Sequence, residues 1–175
     1  MDGHPENAAA SALGGLVAAA VVDGEPVARR LSLDPSLRFV VIVPERELRT
    51  NRARGVLPGT VPREDAVFNL TRLGLMVAGL ADHRQLVAGA GDDRLHQRYR
   101  STLFPEAPAL LEGLRELGAL TSCWSGAGPS LLGVCREADA ARVAEGAMPL
   151  MEKQSIRGRV LLLEPDMAGC RVEVA

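Results

Sequence analysis

Lysine is nearly missing from this sequence of 175 residues: of 20 basic side chains only Lys153 is not an arginine. Together with the abundance of Ala, Gly and Val, this bias points to a GC-rich coding genome, so composition alone accounts for some arginines that would otherwise look functional. Surplus positive charge is missing too. The net charge is -2 and the isoelectric point is near 5.9, so there is no basic face of the kind nucleic acid requires, and no nucleic-acid partner is expected. Long apolar runs are also absent. The one over residues 8–22 is broken by Gly14 and Gly15 and follows Asp2 and Glu6 rather than a basic stretch, which fits neither a membrane span nor a secretory leader. Cysteine is scarce. Cys123, Cys135 and Cys170 have no metal-like spacing, and their odd number argues against a complete disulfide framework, so a reducing cytoplasm suits them best. What remains is a chain 47% hydrophobic and 24% charged, long enough to bury a core and sized for one domain, or one domain plus a piece of another.

Periodicity and turn chemistry divide the chain. Asn7 is placed to cap a helix over residues 8–13 that stops at Gly14 and Gly15. Strands over 16–22 and 26–31 follow, joined by Asp23-Gly24, a strong hairpin signal. The β-branched run over 38–43 reads as a buried strand bounded by Pro44. A domain boundary is placed just before it, giving units over 1–36 and 37–175. Helices are expected over 47–57, 63–81, 84–92, 107–117 and 138–151, with Val67, Leu70, Leu73 and Val77 in helical register within the longest. Further strands are expected over 120–124, 130–135, 158–163 and 169–174. From residue 37 onward this order predicts an α+β layer, with helices on one face of a mostly antiparallel, ferredoxin-like sheet.

Four segments can carry chemistry. Ser125-Gly126-Ala127-Gly128-Pro129-Ser130 joins two expected strands; its small residues let backbone amides approach an anion, although the same motif also serves as a plain β-turn. Gly3-His4-Pro5-Glu6-Asn7 opens a helix, where free amides and the dipole favour negative charge, or where it is no more than a cap. Thr50 and Arg54 lie four apart on one helical face, and Arg100 closes a polar stretch that starts at Asp93. An arginine fork suits a substrate carboxylate; it is also the ordinary charge of a solvated surface.

Taken in order, these segments resemble homoserine kinase, a member of the GHMP small-molecule kinases. That family's G-H-P-D-N segment, small-residue helix and L-G-G-L correspond to residues 3–16. Its S/T-x-x-x-R-x-x-L-P corresponds to Thr50 through Pro58, its D-A-V-x-N-x-x-R to Asp65 through Arg72, its D-x-L/I-H-x-P-Y-R to Asp93 through Arg100, and its S-G-S/A-G-P-T loop to Ser125 through Ser130. Glu6 stands where Asp is usual, Arg98 where Pro is usual, and Ser130 where Thr is common. The family's P-x-x-x-G-L-G-S-S phosphate loop, its upstream Mg-binding Glu and its N-terminal substrate-contacting Asn and Asp have no counterpart here.

The resemblance implies a C-terminal domain over 37–175, preceded over 1–36 by the tail of an N-terminal ATP-binding domain. It implies transfer of the ATP γ-phosphoryl group to L-homoserine on the way to threonine, with ATP and Mg2+ as cofactors. Arg54 and Arg100 would grip the substrate carboxylate with help from Thr50. His4 and Asn7 would orient its hydroxyl end, Asn7 standing as the catalytic candidate, and Glu6 would contact its amino group. The amides of Ser125, Gly126, Ala127 and Gly128 would face the reacting phosphate. No protein metal ligand is assigned. Without the main phosphate loop the chain is expected to start part-way through a kinase, to have little or no activity by itself and to leave strand edges prone to association, a homodimer being the candidate outcome. Two other readings compete: a non-catalytic module that binds an amino acid, and an inactive gene remnant.

Overall fold

The computed structural model describes residues 5–172. Helix α1 (Glu6–Leu13) begins two residues earlier than a cap at Asn7 would allow, because the Pro5 carbonyl already accepts the Ala9 amide at 2.8 Å. Proline loses nothing at a helix start, where its N–H would have had no partner. Asn7 is therefore a first-turn residue and not the cap. Gly14 ends the helix at φ 69°, and a Cβ there would sit 2.5 Å from the Gly169 amide nitrogen, so glycine is required. Strands β1 (Leu16–Val22) and β2 (Glu25–Leu31) pair antiparallel around Asp23 (φ 52°) and Gly24 (φ 84°). Two successive left-handed residues are what a two-residue hairpin loop demands.

Strand β3 (Leu37–Pro44) starts a second, four-stranded sheet with β4 (Thr121–Trp124), β5 (Leu131–Arg136) and β6 (Gly158–Leu163). Its order is β4-β5-β3-β6 with every neighbouring pair antiparallel. The β3-to-β4 crossover carries α2 (Thr50–Gly55), α3 (Arg63–Ala81), α4 (Gln97–Arg100) and α5 (Ala107–Glu116), and the β5-to-β6 crossover carries α6 (Glu137–Lys153). This is the ferredoxin-like α+β arrangement. Helices α5 and α6 cover one sheet face, and Val40, Ile42, Leu110, Leu114, Leu131, Val143 and Met151 interlock there with almost no exposure. Each such side chain stabilises the fold by roughly 1.5–3 kcal/mol through its burial.

Three expected elements change. The helix over 47–57 is confined to α2, because Arg49 is still extended when the helix begins. The helix over 84–92 is instead two 3-10 turns, His83–Gln85 and Ala88–Gly91. Tertiary contacts override helix propensity here: the Asp34 carboxylate accepts the His83 amide at 2.9 Å, and a Cβ on Gly91 would lie 2.2 Å from the Ser122 carbonyl oxygen. The strand over 169–174 is absent from its described part, residues 169–172, where the Cys170 amide donates to the Ala12 carbonyl at 3.2 Å and the segment closes the end of α1. Residues 173 and 174 lie outside the described residues. Helix α3 has the expected bounds, but its apolar stripe of Val67, Leu70, Leu73 and Val77 faces outward, Leu70 being 68% exposed. Its inward side carries Asp65 and Gly79, the latter pressed against Leu86. No helix among the described residues is long and apolar enough to cross a membrane.

Candidate functional site

The β4–β5 connection is a tight turn in which the Ser125 amide donates to the Ser130 carbonyl at 2.9 Å and the Gly128 amide to the Ser125 carbonyl at 3.1 Å. Gly126 (φ 58°) faces open space, whereas Gly128 (φ 85°) lies on the indole of Trp124, whose Cε3 would be 2.4 Å from an added Cβ. Glycine at 126 thus exposes backbone, and glycine at 128 lets the turn fold over the ring. Arg100, at the end of α4, donates from Nη1 to the Gly126 carbonyl at 3.0 Å. Its Nε is buried with no hydrogen-bond partner among the described residues, a donor left over in a place that favours an acceptor. Burial and the positive charge of Arg54 hold the Arg100 guanidinium below its usual range, against the opposite pull of Asp93. The Arg54 charge, from a different helix, therefore bears on Arg100 where that side chain meets the glycine turn. Such like-charge repulsion costs Coulomb energy and favours a bound anion.

Position 100 is set from behind by Asp93. Its carboxylate accepts the Leu95 amide at 2.6 Å, the Gln97 amide at 3.0 Å and the Asn69 side-chain amide at 2.6 Å, and it also faces His96 Nδ1 at 3.1 Å. Burial pushes this carboxyl up, but the His96 side chain, the Asn69 side chain and the Leu95 amide outweigh it and hold the group well below the carboxylate range. Asn69 completes the link by accepting the Arg94 amide at 2.9 Å. Gln97 then donates from its side-chain amide to the Gly91 carbonyl at 2.7 Å and ties α4 to the 3-10 turn Ala88–Gly91, which packs on β4. Sequence reading quoted Asp93, Asn69 and Gln97 within motifs but gave them no role. An Asp opening the short turn that leads into α4 is the signal that could have found the first of them.

The remaining expected site residues are not all drawn in. Thr50 and Arg54 lie one turn apart on α2, both exposed. Glu6 and Asn7 are exposed in the first turn of α1, and among the described residues neither makes a side-chain hydrogen bond or ion pair that would tie it to Arg100. His4 lies outside the described residues. Cysteine chemistry is unfavourable: burial, with Asp93 adding to it, pushes the Cys123 thiol up to about 11, and burial with Asp139 pushes Cys135 to about 12 despite Arg142. Asp34, Asp82 and His83 have metal-like spacing, but their atoms are committed to the fold. Asp34 takes the Ser36 amide and hydroxyl and the His83 amide, and Asp82 takes the Arg84 guanidinium.

The model of the GHMP kinases C-terminal domain matches residues 76–149. Over 172 residues the chain is 37% identical to the homoserine kinase of Leifsonia xyli, covering 98% of this chain and 52% of that protein. It is 42% identical over 137 residues to the homoserine kinase of Moorella thermoacetica, covering 78% and 46%. The crystal structure of homoserine kinase from Cytophaga hutchinsonii superposes with a TM-score of 0.84 at 23% identity, over 94% of this chain and 53% of that one. Leishmania major mevalonate kinase, solved with R-mevalonate, superposes with a TM-score of 0.60 at 13% identity, covering 91% and 51%, which speaks to the fold alone. The chain is thus similar to the GHMP kinases and, among them, to the homoserine kinases, and it spans about half the length of the curated relatives it matches.

Proposed function

We propose that this chain supplies the substrate-carboxylate grip and one glycine turn of an ATP-dependent homoserine kinase, acting in the cytoplasm on the path to threonine. In that reaction the L-homoserine hydroxyl oxygen bonds to the γ-phosphorus, the bond from that phosphorus to the β–γ bridging oxygen breaks, and ADP and a proton leave with O-phospho-L-homoserine. ATP supplies the phosphoryl group, and Mg2+ neutralises its charge. Such a transfer needs positioning and charge neutralisation more than covalent help. Arg54 and Arg100 hold the substrate carboxylate between them with Thr50 assisting. Asn7 and His4 orient the hydroxyl end and Glu6 meets the amino group. The Ser125–Gly128 turn faces the phosphate with the Gly126 and Ala127 amides, those of Ser125 and Gly128 closing the turn itself. Residues 1–36 go with the ATP-binding part of the enzyme and residues 37–175 form its C-terminal domain. The chain contains no P-x-x-x-G-L-G-S-S loop, so phosphoryl transfer depends on a nucleotide-binding partner segment.

The observation that carries this reading is the buried, unmatched Nε of Arg100, a side chain that meets the glycine turn at Gly126 and feels the charge of Arg54. Calorimetric titration of the 175-residue chain with L-homoserine tests it. Binding with a Kd of about 1 mM is expected for a half-built site, weakened about ten-fold or more by Arg100→Gln. Homoserine that fails to bind, or that binds the variant equally well, contradicts it. A non-catalytic amino-acid-binding role draws on the same pair of arginines. It differs in predicting no phosphoryl transfer when the nucleotide-binding half of a homoserine kinase is added.

A further inference from the structure

Behind Arg100, on the other side of α4, lies a cavity of about 320 Å3 between α3, α5 and β4. Pro108, Leu111 and Trp124 form its apolar part, and Arg94 and Arg98 stand beside them. Its polar groups are unevenly matched. The acceptors are already used: the Asp93 carboxylate is spent on the amides that start α4, and Asp92 is paired with Arg115 at 3.2 Å. The donors are not. Arg94 and Arg98 share one carboxylate, that of Asp65, which is only 4% exposed, at 3.5 and 3.7 Å. Both distances are well beyond the roughly 2.8 Å of a good charge-assisted hydrogen bond. Trp124 is 6% exposed, and its indole Nε1 has no acceptor among the described residues. The opposite edge of that ring lies against Gly128, which turns the N–H edge away from the glycine turn.

We infer that this cavity is a second binding site, separate from the Arg54 and Arg100 face, for a small carboxylate with an apolar body. The carboxylate provides the closer acceptor that Arg94 and Arg98 lack, and the hydrocarbon lies on Leu111, Pro108 and the Trp124 ring. The volume is at the lower end of the range of small-molecule pockets, about 300–1,000 Å3, and suits a ligand of amino-acid size. Arg98 stands where homoserine kinases usually carry proline, so the carboxylate anchor depends on this chain's own residue.

Trp124 is the sole tryptophan, so its emission reports the cavity directly. The probe is 4-methylpentanoate, compared with the uncharged 4-methylpentanamide of the same shape. The expected result is a saturable change in Trp124 emission with a Kd of about 1 mM for the carboxylate and at least about ten-fold weaker binding of the amide. Arg98→Gln should weaken the carboxylate about five-fold or more, while Arg54→Gln leaves it unchanged. The Arg98 side chain is 59% exposed, so its loss spares the core; should that variant misfold by circular dichroism, Arg94→Gln removes the other half of the anchor. Absence of a saturable change in the unmodified chain overturns the inference. So does equal binding of acid and amide, and so does a loss on Arg54→Gln without one on Arg98→Gln, which would place the probe at the substrate face.

Discussion

Strands β1 and β3 draw on nearly the same residues and end in opposite surroundings. Leu-Val-Ala-Ala-Ala-Val-Val of β1 buries no side chain completely, and Val21 is 54% exposed. Leu-Arg-Phe-Val-Val-Ile-Val-Pro of β3 places Leu37, Val40 and Ile42 wholly inside. Strand β3 lies between two neighbours, under a layer made by α5 and α6, whereas β1 has one neighbour and the short α1. Apolar content selects a strand, but a covering layer decides whether that strand stabilises anything. The outward stripe of α3 belongs with β1 in this respect.

Core truncation should separate the two regions most sharply. Leu114→Ala, beneath the sheet, is expected to cost about 2–5 kcal/mol in urea unfolding, while Val21→Ala in β1 should stay within about 0.5 kcal/mol. Equal losses would show that the hairpin has a covering layer in solution. Next in size is Asp93→Asn, with an expected cost of about 2 kcal/mol as the charge-assisted bonds to the amides opening α4 weaken. The sign of its pH dependence follows from the depressed carboxyl: the contribution is complete above the unfolded value of about 3.9 and is lost as pH falls below it. Acid unfolding curves of the parent and Asp93→Asn should therefore converge at low pH. Curves that stay parallel down to acid unfolding would remove the carboxylate from this role. A smaller effect divides the glycine turn itself. Gly128→Ala meets both positive φ and the Trp124 ring and should cost about 2–3 kcal/mol, against about 1 kcal/mol for Gly126→Ala, which has the strain alone. Equal costs in thermal melts would mean that the turn does not rest on the indole.

Local signals were legible where local chemistry decides. Asp23-Gly24 set the hairpin, helical periodicity set both ends of α3, and a β-branched run marked β3. The GHMP fold and its relatives followed from five short segments in order. Tertiary chemistry was less legible. No periodicity reveals that Gly91 must press on Ser122 and so break a helix, or that residues 169–172 close the end of α1 instead of joining a sheet. The apolar stripe of α3 had the right register and the wrong direction, since register says which residues share a face and not what lies opposite it. Of the candidate site residues, Arg100 and the Ser125–Ser130 turn meet in the structure. The role of Asp93 needed coordinates, because its partners are backbone amides, the neighbouring His96 and Asn69 from another helix, a set that leaves no residue pattern in the sequence.

The central claim is that two arginines hold a carboxylate. Its most direct test compares calorimetric titrations of the chain with L-homoserine and with 3-aminopropan-1-ol, which keeps the amine and the alcohol but has no carboxylate. The account predicts that homoserine binds and that the amino alcohol binds at least about ten-fold more weakly. Equal affinity for the two would contradict it.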